Sequence, residues 1–344
     1  MGKNKKEEKK RKLRTLILLL FLTIIMFGTS TYAWFTANRV VTINSLDVHV
    51  EASNGIQIST DGESWKSVIT NLDIISGAYT GAVNQVPTNV TAVSTDASTV
   101  TAAGRLNMYS AVVDTNESTG DYTIETSLET DTAGTEGKYI AFDIFLRVDT
   151  TQMVYLTPES DVVVATGSTE KGLKNAARVA FVNLGHTEST SALNTITGLN
   201  TGTSSSVILW EPNIEAHEAL ITGATGVAHD MGVTLNQTGG VYDRAPYRGV
   251  SAATTTPLDL KAVVNGTNTS ITTAVTPTIT TTSSNTATNQ FANLTAGITK
   301  YRVYMWIEGQ DIDCDNSATG TNISYKVQLS TSDGSSAAGA SSQG

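Results

Sequence analysis

An all-β fold is what this sequence predicts: an antiparallel, jelly-roll-like β-sandwich with long Thr- and Ser-rich loops, behind an N-terminal signal or anchor helix. Three observations lead there. Short segments alternate apolar and polar side chains with period two, as half-buried strands do. Clusters of Gly, Asn, Asp, Ser and Thr separate those segments, supplying turn and loop chemistry. Past the leader, no apolar stripe at the 3.6-residue period extends far enough to make a long amphipathic helix.

The leader comes first. Residues 1–15 (MGKNKKEEKKRKLRT) carry eight Lys or Arg and two Glu, a local charge of 8 − 2 = +6, and residues 16–27 (LILLLFLTIIMF) are apolar. A positive start, an apolar core and a small residue before a cut mark a secretory signal. Thr31 and Ala33 would occupy positions −3 and −1, so signal peptidase is expected to cut between Ala33 and Trp34. The alternative is an uncleaved anchor held in the membrane through residues 13–35. Its length suffices, because some 20 helical residues reach ~30 Å, and Tyr32 and Trp34 would sit at the interface. Gly28, Thr29, Ser30 and Thr31 weaken that span. Both readings put the bulk of the chain outside the cytoplasm, extracellular or on the cell surface. The expected organisation is residues 1–33 as leader, 34–52 as an N-terminal strand, 53–330 as a β-sandwich body with room for an inserted lobe, and 331–344 as a flexible tail.

Without the leader, residues 34–344 keep 22 − 8 = 14 basic and 32 − 2 = 30 acidic residues, a balance near −16. Such a surface disfavours nucleic acid and anionic lipid, both of which need basic patches. Cys314 is the single cysteine, so no intrachain disulfide can form.

The strands follow in order. Leu46, Val48 and Val50 alternate with Asp47, His49 and Glu51. Residues 56–59 and 65–69 flank TDGES, a hairpin loop with Asp61-Gly62 at its turn. Residues 80–94 and 266–289 are rich in Thr, Ser and Asn and read as surface insertions or edge strands. Residues 139–148 (YIAFDIFLRV) put Ile140, Phe142, Ile144, Leu146 and Val148 on one face, with Asp143 and Arg147 on the other. The apolar runs 162–165, 179–182 and 207–210 read as more deeply buried strands. Residues 172–177 and 214–220 are the two short helix candidates. Residues 322–329 (NISYKVQL) close the body with Ile323, Tyr325, Val327 and Leu329 on one face.

Candidate chemistry is sparse. Residues 306–316 (WIEGQDIDCDN) offer Glu308, Asp311, Asp313 and Asp315 as hard oxygen ligands, a density that suits a structural Ca²⁺. The EF-hand pattern fails, since Asn316 and Asn322 stand where its Gly and Glu belong. A solvated acidic loop is the competing reading. His217 and His229, with Glu215, Glu218 and Asp230 nearby, carry the hydrolase alternative. Ser168 and Lys171 fit S-x-x-K without its partner motifs, and no nucleophile elbow, zinc or phosphate-loop pattern occurs. The expectation is a non-enzymatic protein without a cofactor.

Gly28–Ala33, the aromatic pair Trp34-Phe35 and the phrase Leu46-Asp47-Val48 together resemble secreted proteins processed by a SipW-type signal peptidase. These are the biofilm-fibre and camelysin-like exoproteins of Firmicutes, from single-membrane bacteria. The resemblance covers about forty residues. It implies that subunits polymerise when the freed N-terminal strand completes a sheet in a neighbour. Val41, Ile43, Leu46, Val48 and Val50 are the apolar side chains available for this, and no Pro interrupts them. Val41 and Ile43 share one phase and the other three the opposite one, so a bulge near Asn44 and Ser45 would reconcile them. The competing reading makes this strand the first of its own sandwich. The function expected is an exported structural protein forming extracellular filaments or biofilm matrix as a homopolymer. A membrane-anchored module binding glycans or host proteins is the alternative.

Overall fold

The computed structural model describes residues 47–53, 55–115, 122–169, 173–212, 237–238, 241–242, 247–259, 272–280, 289–309, 311, 314 and 321–331. The leader, the Ala33–Trp34 junction, Val41, Ile43, Leu46, Asp313, Asp315, His217, His229 and residues 214–220 lie outside them.

The described chain is mostly β-sheet. One large sheet contains β1 (Asp47–Ser53), β3 (Val68–Thr70), β7 (Gln152–Leu156), β8 (Asp161–Val164), β16 (Gln290–Leu294) and β18 (Ile323–Ser330). Its order is β16-β7-β18-β1-β3, with β8 also on β18. A second contains β2 (Ile56–Ser59), β6 (Ile140–Val148), β9 (Ala177–Thr187), β10 (Val207–Trp210) and β17 (Gly297–Ile307), in the order β10-β9-β17-β6-β2. A third joins β4 (Met108–Thr115), β5 (Tyr122–Glu129) and β14 (Thr254–Asp259). Two small pairs complete the set, β11 (Gln237–Thr238) with β12 (Val241–Tyr242) and β13 (Tyr247–Val250) with β15 (Thr272–Val275). Among the described residues the helices are short: α1 (Asn71–Ser76), α2 (Leu193–Thr197) and 3₁₀ turns at Leu173–Ala176, where the sequence suggested a helix start, and at Gly202–Ser204. Among the described residues no helix is long and apolar enough to cross a membrane.

One continuous apolar cluster draws on both large sheets. Val48, Val50, Tyr325, Val327 and Leu329 come from the first, and Phe142, Ile144, Phe181, Val303 and Met305 from the second. The alternation in β6 explains its contribution, since Ile140, Phe142, Ile144, Leu146 and Val148 all enter this cluster.

Three features depart from the sequence reading. The described strand pairs are antiparallel except one: β1 runs parallel to β18. Asp143, expected on an exposed face, is fully buried, because residues 80–106 and α2 cover the back of the second sheet. The covering segment is therefore no loose surface insertion. Val83, Val86, Val90 and Val93 are buried, Gln85 bridges to Ala141, and Val93 bridges to Glu308. Finally, β8 is buried only at Val162 while Val163 is 41 % exposed, as suits a strand packed on one face.

The TDGES loop is a turn as expected, but it also changes sheets. Ile58 and Lys66 exchange two backbone hydrogen bonds of 2.8 Å, after which the chain leaves β2 for β3 in the other large sheet. Gly62 holds φ +78°, a left-handed conformation that glycine adopts without strain. Asp61 Oδ1 accepts from the backbone N–H groups of Glu63 (2.8 Å) and Ser64 (2.7 Å) and from the Ser59 hydroxyl (2.7 Å). Partial burial pushes this carboxyl up, and those donors outweigh it, holding it at about 2 against an ordinary 3.8. The depressed folded value means the contribution is present above 3.8 and lost as pH falls toward 2. Changing Asp61 to Ala is expected to lower unfolding stability by about 1 kcal/mol at neutral pH and to flatten that acid limb, both readable by thermal melts across pH.

Candidate assembly site

β1 is the described part of the strand that the sequence singles out. Its alternation places Val48 and Val50 at full burial and Ala52 at 2 % exposure, while His49 and Glu51 are half-buried. On one side Val48, Val50 and Ala52 stand against Tyr325, Val327 and Leu329 of β18. On the other, Val50 stands opposite Ile69 of β3, and the Ala52 N–H donates to the Ser67 carbonyl at 2.7 Å. The Val48 N–H donates to Asn71 Oδ1 at 2.9 Å, tying the start of β1 to the start of α1.

Both edges of β1 are thus satisfied, and its side chains complete the shared core. Taking the strand away would leave unpaired edges on β18 and β3 and a slot lined by Ile69, Tyr325, Val327 and Leu329. An extended segment with apolar residues at alternate positions is what such a slot accepts. The pairings to β18 and β3 have the same form whether the strand belongs to the same chain or to a neighbour, which is the physical basis of strand exchange.

The acidic segment after β17 behaves differently from a free loop. Glu308 is fully buried and its Oε2 accepts from Trp306 Nε1 at 3.0 Å. Asp311 pairs with Arg178, and the same guanidinium nitrogen lies 2.7 Å from Glu211 Oε1. Arg178 Nη1 also donates to the carbonyls of Asn175 (2.7 Å) and Ala177 (3.0 Å). This clamp ties β9, the end of β10 and the segment after β17 together. Among the described residues no group of three His, Cys, Asp or Glu is arranged to hold a metal. Cys314 is buried, its N–H donating to the Asp311 carbonyl at 3.1 Å.

A polar cluster that sequence reasoning missed lies under the covering segment. Asp143 on β6 receives Arg302 of β17 through two bonds, Nε to Oδ1 at 2.7 Å and Nη2 to Oδ2 at 3.0 Å. Lys300 Nζ lies 3.5 Å from the same carboxylate, and the Tyr79 hydroxyl donates to it. Lys300 also donates to the Thr197 carbonyl at the end of α2 (2.7 Å). Burial pushes the Asp143 carboxyl up, but Arg302 and Lys300 outweigh it and hold it below the ordinary value. Burial also pulls the Lys300 amine below its usual range. Nearby, Asp131 accepts from Tyr139 (2.7 Å) and Tyr304 (3.2 Å) and contacts Arg105 at 3.4 Å. The signal was present as opposite charges at the polar positions of β6 and β17, which the register sets opposite one another as Asp143 and Arg302. These groups fasten the covering segment and α2 to the sheet.

Compared with protein-family models, curated proteins and solved structures, the chain matches none.

Proposed function

We propose that this chain is an exported structural protein that assembles with copies of itself into extracellular filaments or surface matrix. In this reading the two large sheets are the layers of a jelly-roll-like sandwich, residues 1–33 are the leader and 53–330 the body. Signal peptidase frees Trp34, and residues 34–52 become the connector. The role is mechanical rather than catalytic, the partner is the same chain, and neither nucleic acid nor a cofactor is needed. The observation that carries this is the placement of β1: the first strand among the described residues lies between β18 and β3 and shares no hairpin with β18. A strand so placed can be supplied by another subunit with its pairings to β18 and β3 preserved.

Electron microscopy of protein beginning at Trp34 tests the proposal. Regular filaments are expected, and an excess of a peptide of residues 40–53 should shorten them by occupying the slot. Dispersed particles at high concentration would sink it, and an unprocessed, monomeric chain in membranes would favour the anchored binding module.

No structural calcium is assigned to Glu308, Asp311, Asp313 and Asp315 in this proposal, because Arg178 already brings a positive charge to Asp311. Chelation is therefore expected to leave the thermal midpoint unchanged. An ion bound at one hundred times its dissociation constant would instead withdraw about 2.7 kcal/mol on removal.

A further inference from the structure

α1 breaks the usual pattern of a surface helix. Ile74 is buried, yet Leu72 is 76 % and Ile75 52 % exposed. Residues three apart on a helix share a face, so these two side chains form a small apolar patch rather than isolated exposures. Single exposed apolar residues are ordinary, while adjacent ones ask for a partner.

The patch lies on the path of the chain entering β1. The antiparallel register pairs Glu51 with Val68, Val50 with Ile69 and His49 with Thr70. β3 ends at Thr70 and α1 begins at Asn71, so the start of β1 lies beside the start of α1. The Val48–Asn71 hydrogen bond fixes the same approach independently. The described residues begin at Asp47, so the preceding segment joins β1 at its end nearest α1. Those residues, 34–46, contain Trp34, Phe35, Val40, Val41, Ile43 and Leu46. In sequence, Leu46 falls in the alternation of Val48 and Val50, whereas Val41 and Ile43 fall in the opposite one.

We infer that Leu72 and Ile75 are the seat of the out-of-phase apolar residues of segment 34–46, Val41 and Ile43 foremost. The phase break near Asn44 and Ser45 then has a purpose, turning one apolar set into the core and the other onto α1. The seat is the α1 of whichever subunit holds β1, so it locks the strand's entry within one chain or across a junction between two.

Arg39 provides the readout, because trypsin cuts after it only where segment 34–46 is loose. In the full chain in mild detergent, the Leu72→Asp/Ile75→Asp double variant should be cut at Arg39 about tenfold faster than the unaltered protein. Val41→Asp/Ile43→Asp should accelerate cutting equally, and all four changes together should add nothing, as expected of two halves of one contact. Equal cutting in every variant, or additive effects, would overturn the inference. Single particles and filaments are digested separately: protection without filaments leaves the seat standing and defeats assembly, and filaments without protection do the reverse.

Discussion

A chain that begins at Gly55, and so lacks β1, is expected to fail to reach the native state, and a peptide of residues 40–53 added in trans should restore it. The size of the effect follows from burial. Fully burying a valine is worth about 1.5–3 kcal/mol, and β1 buries Val48 and Val50 completely together with Ala52. Each intramolecular hydrogen bond contributes a further ~1 kcal/mol, and β1 is bonded along both edges. The sum approaches the whole 5–15 kcal/mol or so of an ordinary domain's stability. Circular dichroism and a thermal melt read the outcome. Cooperative melting of the shortened chain at an unchanged temperature would show that the slot closes on itself, removing the reason for strand donation. The point variant Val50→Asp should act in the same direction, since a carboxylate without a partner would enter a fully apolar cluster.

Changing Arg302 to Met should be the most damaging single change away from β1. Asp143 is fully buried, and Arg302 makes two of its hydrogen bonds. Removing one partner of a buried ion pair costs roughly 3–5 kcal/mol, because the remaining charge stays desolvated. Lys300 remains at 3.5 Å and limits the loss. At about 2–4 °C per kcal/mol for a domain of this size, the melting temperature should fall by roughly 10 °C. The double variant Asp143→Leu/Arg302→Met should recover much of that, as buried pairs are often replaceable by apolar groups. The pH dependence has a definite sign. The folded Asp143 carboxyl lies below its ordinary value, so its contribution is present above the unfolded pKa near ~4 and is lost as pH falls through the folded value. Arg302→Met should flatten that acid limb. An unchanged melting temperature would mean that the cluster does not hold the covering segment.

Where local alternation decides structure, the sequence was readable. β6 and β18 lie where their apolar alternation puts them, β9 includes the apolar run 179–182, and the Asp61-Gly62 turn follows from turn chemistry alone. What escaped reading is non-local. Asp143 looked solvent-facing because its partners Tyr79, Lys300 and Arg302 are remote in sequence and because the Thr-rich segment covering it shows no period-two alternation to advertise a core role. The parallel pairing of β1 with β18 joins the two ends of the body, and no local pattern encodes such a choice. Asp311 was legible as an acidic ligand, but its pairing with Arg178 depends on strand neighbours 133 residues apart. In β1 the burial of Val48 and Val50 was foreseeable from phase, and in α1 the exposure of Leu72 and Ile75 was not.

One disulfide experiment separates a strand at home from a strand given away. His49 and Lys326 are register partners across β1 and β18 and both are half-buried. Neighbouring strands lie about 4.8 Å apart, within the roughly 4.4–6.8 Å between Cα atoms that a disulfide spans. The variant His49→Cys/Lys326→Cys, with Cys314 changed to Ala, is assembled, oxidised and run on a denaturing gel without reductant. A ladder of covalently linked multimers, collapsing to one band on reduction, is the result that donation of β1 requires. A single band of one chain's mass, fully cross-linked within itself, would contradict it and leave β1 as the first strand of its own fold.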